Sequence, residues 1–364
     1  MSLLTQRLHF FWSLVQQAPA QPPTCISIPH QQVNFSNVLG STFQGDKHYF
    51  QVRVNEMFLA SEREWFSQYD PLVFVISEFI YDNKIQVVPF IVGPALLENK
   101  GQQAPVGMIF SNTRVAGLHP YKGGRLTLSV ILGRVQRGNY ARELLKLVES
   151  TSSALDFSTA LTSYTKIAGV LLDGLESLFG LGGTQTIVGL RKEFDPAAGD
   201  KFEPGYFVLI DQPQGTIDTR QLWVRDHQLV YGNSLPTAQP FRQADYVLYS
   251  IIQTSERSDE VSLPFYPLYK QVKDAATKPD PESWKRAKAN MLTLYQNLVN
   301  SPDLIPSQVR TLVNRYVQEM RELHATAVGL GSLSSDTFDI GPLNEESAIE
   351  VSLSQASKIL DLKL

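Results

Sequence analysis

The sequence predicts an α+β protein: antiparallel β-sandwich-like or open sheets with inserted amphipathic helices and a C-terminal helical hairpin. Three observations carry that expectation. Between Phe35 and Val135 apolar residues recur with a period of about two, the spacing of a strand with one buried face. Across 139–179, and again after Asp280, the period lengthens to about 3.6, which marks amphipathic helices. Strands and helices come in runs and do not alternate one for one, which argues against a doubly wound parallel sheet.

The first element, over 1–20, reads as an amphipathic helix with Leu4, Leu8, Phe11, Trp12 and Val15 on one face. His9 and Trp12 interrupt its apolar run and Arg7 alone precedes it, which does not suit a signal peptide. A β-rich unit followed by helices is expected over 30–183. In Tyr49–Val54, Phe50, Val52 and Val54 alternate with Gln51 and Arg53, and Leu126–Val135 is a second strand. Leu72–Tyr81 and Ile85–Val92 flank Asp82-Asn83-Lys84, which suits a hairpin turn. Pro71 and Pro89 belong at a strand start, an edge or a bulge, because proline cannot donate to a ladder. Gly180 to Gly183 stop the helical stretch.

A second β-rich unit with a C-terminal helical hairpin is expected over 184–326. Its strands fall at Ile187–Leu190, Tyr206–Ile210, Leu222–Val224, Leu229–Tyr231 and Tyr246–Ile252, with Arg225-Asp226-His227-Gln228 as a turn. Asp280 before Pro281 is a helix N-cap with proline in the first turn, so helices are expected over Pro281–Asn300 and Pro306–His324. Gly329-Leu330-Gly331-Ser332 ends this region. The remainder, 327–364, is a linker and docking tail in which Ile349, Val351 and Leu353 alternate as a strand able to complete a sheet edge.

A chain of 364 residues suits about two domains. The net charge of -4 supplies no overall basic field, so no nucleic-acid partner is expected. Cys25 is the single cysteine, which precludes an internal disulfide and suits a reducing, cytoplasmic location. No cofactor or metal site is expected. GxxxxGK[ST] and a GxGxxG between strand and helix are missing, as are GxSxG and HExxH. Lys122-Gly123-Gly124-Arg125 offers amides and cations to an anion but reads more simply as a turn. Asp195, Asp200 and Glu203 lack calcium-loop spacing, and Glu256, Asp259 and Glu260 around Arg257 look like a solvated loop. Asp226 and His227 are adjacent, a spacing that suits a turn better than a catalytic relay.

What remains points to binding. The expected function is a non-enzymatic protein-interaction or assembly subunit of an intracellular complex, with a protein partner or self-association. The interaction candidates are Phe265, Tyr266 and Tyr269, stiffened by Pro264 and Pro267; Leu171, Leu175 and Phe179 on the long apolar helix; and Ile349, Val351 and Leu353 in the tail. One alternative is a membrane-active protein that releases the helix around 167–179, which is possible but disfavoured by its acidic charges. The other is a hydrolase with a dispersed site using His119 or His227.

Overall fold

The computed structural model describes residue 13 and residues 23–34, 40–60, 63–64, 67–93, 108–136, 170–171, 173–174, 177 and 184–332. The chain divides into two compact units, Met1–Ser255 and Glu256–Leu364. The protein is α+β, with its strands in three antiparallel sheets.

In the first unit the strands are β1 (Pro23–Ile28), β2 (Tyr49–Phe58), β3 (Arg63–Glu64), β4 (Ser67–Tyr81), β5 (Lys84–Val92), β6 (Met108–Pro120) and β7 (Leu126–Gln136). After them come β8 (Thr184–Phe194), β9 (Gly205–Pro213), β10 (Leu222–Arg225), β11 (Gln228–Tyr231), β12 (Gln239–Pro240) and β13 (Tyr246–Thr254). One sheet runs β1-β9-β13-β2-β6, a second β3-β4-β7-β8 with β5 on β4, and a small third β10-β11-β12. The pairing crosses position 183/184: β8 joins β7, while β9 and β13 sit between β1 and β2. Strands on both sides of that position therefore build the same sheets, and the division between units falls at 255/256.

The β1-β9-β13-β2-β6 sheet is buried on one face and, where the small sheet covers β9 and β13, on the other as well. Phe207, Leu209, Val247, Tyr249, Ile251, Phe50, Val52 and Val54 enter one core with the second sheet, including Phe74, Ile76, Leu128 and Val130. The alternate residues Tyr206, Val208, Ile210, Tyr246 and Leu248 enter another core with Leu222, Val224 and Leu229 of the small sheet. This corrects the half-buried strand expected at Tyr49–Val54, since Gln51 on its polar side is buried too. Arg53 on the same side stays half-exposed.

Two hairpins follow from backbone chirality. Asp82 and Asn83 both have positive φ, at 50° and 56°, between Tyr81 and Lys84, the ends of β4 and β5. Asp226 and His227 repeat this at 52° and 65° between β10 and β11. Such two-residue turns match strand twist and favour Asn, Asp and Gly. Asn83→Val is therefore expected to lower stability by about 1 to 2 kcal/mol, the cost of a β-branched residue in left-handed backbone, as read from the urea midpoint. Asn83 is exposed, so no lost packing confuses the measurement. Pro89 lies in β5, which pairs only with β4 among the described strands, as proline requires.

The second unit holds α1 (Tyr266–Ala276), α2 (Pro281–Val299) and α3 (Pro306–Ser332). The Asp280 side chain accepts from Ser283 N–H at 2.8 Å and caps α2 as the sequence predicts. The expected pair of helices is here a set of three sharing one core, with Val272, Met291, Leu294, Leu312, Tyr316 and Met320 inside. Two expectations are corrected. α3 continues through Gly329 to Ser332, because glycine inside a helix costs only about 1 kcal/mol and need not end it. Arg257 is buried, not solvated: it makes a bidentate pair with Asp259 at 2.6 and 2.9 Å and donates to Asp303 O at 2.9 Å.

Candidate functional site

Among the described residues, the interaction candidates from the sequence are buried or half-buried in the core of their own unit. Phe265 and Tyr269 are buried in the core of the second unit and Tyr266 packs against it, half-buried. Pro267 sits in the first turn of α1, whose inner face runs Phe265, Tyr269, Val272, Ala276 at helical spacing, so these aromatics face inward. Leu171 is buried in the larger core of the first unit, beside exposed Val170. Leu175, Phe179, Ile349, Val351 and Leu353 lie outside the described residues.

His119 is buried against the Phe79 ring at 4.7 Å and the Phe50 ring at 5.7 Å. Cys25 is half-buried, and burial pushes its thiol up against the opposing pull of Lys192, which disfavours thiolate. Lys122 pairs with Asp46 at 2.9 Å, consistent with a solvated turn. The Asp195 and Asp200 carboxylates accept backbone N–H groups of their own loop, from Ala197 and Asp195, at 2.9 and 3.1 Å. Among the described residues no group of His, Cys, Asp and Glu could hold a metal, and no helix is long and apolar enough to cross a membrane.

His227 is different, because the fold brings it to a polar row. Tyr206 of β9 lies opposite Ser250 of β13, Ser250 opposite Arg53 of β2, and Arg53 opposite Arg114 of β6. Directly opposed residues have Cβ atoms about 5 Å apart, so these four side chains are nearest neighbours across adjacent strands. Their common face follows from alternation. Tyr206 and the flanking Leu248 face the small sheet, whereas Val52 and Val54 on either side of Arg53 face the other way. The β10–β11 turn supplies His227, whose Nδ1 is hydrogen-bonded to the Tyr206 hydroxyl. Asn34 fixes that turn: its side chain bonds the Asp226 carboxylate at 3.1 Å and the Asp226 N–H at 3.0 Å, and its N–H donates to Val224 O at 3.1 Å.

No family model, curated protein or solved structure matches this chain.

Protonation in the row follows from burial and charge. Burial pushes the Tyr206 phenol up to about 12, with Arg53 pulling it back. Burial, then Arg53, pushes His227 down, with Asp226 opposing. Tyr206 therefore keeps its proton, and its hydroxyl shares a hydrogen bond with His227 Nδ1 in which the imidazole tautomer sets the donor. Burial and the neighbouring Arg114 depress Arg53, the second because two like charges lie side by side. Between the phenol and the guanidinium, Ser250 is 1% exposed and its Oγ has no hydrogen-bond partner among the described residues. A buried hydroxyl in that state costs about 1 to 3 kcal/mol. The row thus combines two cations, an imidazole and a buried hydroxyl. Its chemistry suits holding negative charge.

Sequence reading reached His227 and Tyr206 separately and did not single out Arg53, Arg114 or Ser250. One signal was present: the alternation in Tyr49–Val54 puts Arg53 on the polar side of its strand.

Proposed function

We propose that this protein works by binding, as a cytoplasmic interaction or assembly subunit, and that its first unit docks an anionic side chain of a partner protein on the Tyr206–Ser250–Arg53–Arg114 row. The observation that supports this reading is the side-by-side pair Arg53 and Arg114 in register with a buried Ser250 hydroxyl that has no hydrogen-bond partner among the described residues. Adjacent guanidinium groups repel, and an anion between them relieves that repulsion. A protein occupant fits the position of the row, which ends at β6, the last described strand of its sheet. An extended segment there can add backbone hydrogen bonds to those of its acidic side chain. The burial of Leu171 in the core weighs against release of its helix to a membrane.

The test is thermal melting of the full chain at matched ionic strength in chloride, acetate, sulfate and phosphate, each oxyanion at about 10 mM, too dilute for general salt effects. An anion bound tenfold above its Kd is expected to raise the wild-type midpoint by about 3 °C. Arg53→Gln with Arg114→Gln is expected to lose that gain, and Arg114→Gln alone to lose part of it. No gain in the wild type, or an equal gain in the variants, rules the reading out.

A further inference from the structure

We propose that residues 43–47 form an acid-sensitive strap, held closed by the neutral ring of His48 and opened when that ring takes up a proton, a device independent of the anion-docking reading. The strap belongs to no strand or helix, and Phe43 is its only buried residue. That ring stacks on Phe202 at 4.1 Å and meets Tyr121 edge to face at 5.9 Å, while the Phe43 N–H donates to Phe202 O at 2.9 Å. At the other end the Asp46 N–H donates to Tyr121 O at 2.8 Å, and the Asp46 carboxylate pairs with Lys122 at 2.9 Å. Between these two anchors the Gln44 N–H donates to His48 Nδ1 at 3.0 Å. A backbone N–H can only donate, so Nδ1 carries no proton and the neutral ring holds its proton on Nε2.

Protonation turns this bond into its opposite. Both nitrogens of a charged imidazole are donors, so an Nδ1–H would face the Gln44 N–H. The His48 backbone is held in place just before β2, where its O accepts the Tyr121 N–H at 2.9 Å. Either the ring swings out or Gln44 lifts, and each breaks the link that closes the turn. The ring also lies 6.2 Å from that of Phe43 at 86°, so its movement disturbs the buried anchor as well. Burial, then Lys47, pushes His48 below its ordinary 6.5. Around it Asp46 is paired with Lys122, Glu203 accepts from the Thr42 hydroxyl at 3.2 Å, and burial, then Asp195, raises the Tyr121 phenol. An open strap returns His48 to 6.5, so the open form binds more protons than the closed one. Closure is therefore complete above that value and is lost as pH falls through the lower, closed-state value.

The experiment measures amide protection factors in the full chain by NMR from about pH 7.5 to about pH 5, the range in which histidine charges, with the His48 imidazole resonance followed in the same samples. Phe43, Gln44 and Asp46 are expected to lose protection together by about three- to tenfold, the worth of one hydrogen bond, with the midpoint of the loss at the His48 titration. Amides of β4 and β7 are expected to keep theirs. His48→Gln retains an acceptor for the Gln44 N–H but does not titrate, and is expected to stay closed across the range. Protection that does not change while His48 titrates overturns the proposal. Loss at Gln44 alone, with Phe43 and Asp46 still protected, also overturns it, since one bond would then break without opening a strap. An equal loss in His48→Gln assigns the effect to Asp46, Asp195 or Glu203 and overturns the role of His48.

Discussion

Glu56→Leu is expected to lower stability by about 3 to 5 kcal/mol, because it breaks a buried polar cluster from one side only. Glu56 lies on β2 with 1% of its surface exposed. Its Oε2 accepts the Leu229 N–H of β11 at 2.8 Å, and its Oε1 lies 3.6 Å from Arg242 Nη1. Arg242 also donates to the Tyr246 hydroxyl at 2.9 Å and to Phe241 O at 2.6 Å, with its guanidinium 4.7 Å above the Phe58 ring. One carboxylate thus ties the small sheet to the larger one beneath it. Leucine would fill the space but leave a buried N–H without an acceptor. Glu56→Gln keeps an acceptor for Leu229 and is expected to cost about 1 to 2 kcal/mol.

The pH dependence of that smaller cost has a definite sign. Burial raises the Glu56 carboxyl above its ordinary 4.5, against the downward pull of Leu229 N–H, Tyr246 and Arg242. The folded state therefore holds the proton more tightly than the unfolded state does. The stabilisation is complete below 4.5 and is lost as pH rises through the folded value. Glutamine does not titrate, so the cost of Glu56→Gln is expected to be largest in acid and to shrink toward neutral pH, as measured by urea midpoints of both proteins. A cost that grows with pH would mean that Arg242 outweighs burial.

What could be read from the sequence is local. The Asp82-Asn83 and Asp226-His227 turns and the Asp280-Pro281 cap each express a short-range rule: left-handed backbone at two residues, or a carboxylate reaching the third N–H onward. Strand order is not local. β9 and β13 insert between β1 and β2, so Arg53, Arg114, Tyr206 and Ser250 meet only after long-range pairing that no short window encodes. For the same reason β2 shows the alternation of a half-buried strand although at Glu56 and Phe58 a second layer covers its other face. The prolines around Phe265 misled differently. Proline in a first helical turn stiffens a helix start as readily as an exposed edge, and only the core of α1–α3 shows which. Charged residues near 257 look solvated until Gln308 and Asp303, some fifty positions on, receive Arg257.

Tyr316→Ala is expected to cost about 3 to 5 kcal/mol, and the loss should appear in α1 as well as in α3. Tyr316 is wholly buried, and its ring stacks on that of Tyr269 at a centroid distance of 3.7 Å and an angle of 18°. Tyr269 belongs to α1 and donates its hydroxyl to the Glu319 carboxylate on α3, so two bonds of different kinds join the helices at one level. Burial, then the Glu319 hydrogen bond, raises the Tyr269 phenol; this contact therefore keeps its proton through the neutral range. Around it Lys273 of α1 lies 3.7 Å from Glu319, and Arg315 pairs with Glu260. These pairs are partly exposed and contribute little, so the ring contact and the cavity left by its removal dominate. Tyr316→Phe keeps the ring and is expected to cost no more than about 1.5 kcal/mol. Amide exchange separates the cases: Tyr316→Ala should speed exchange at Val272 and Ala276 of α1, which Tyr316→Phe leaves protected. Unchanged protection of α1 in Tyr316→Ala would show that the stacked pair does not hold these helices together.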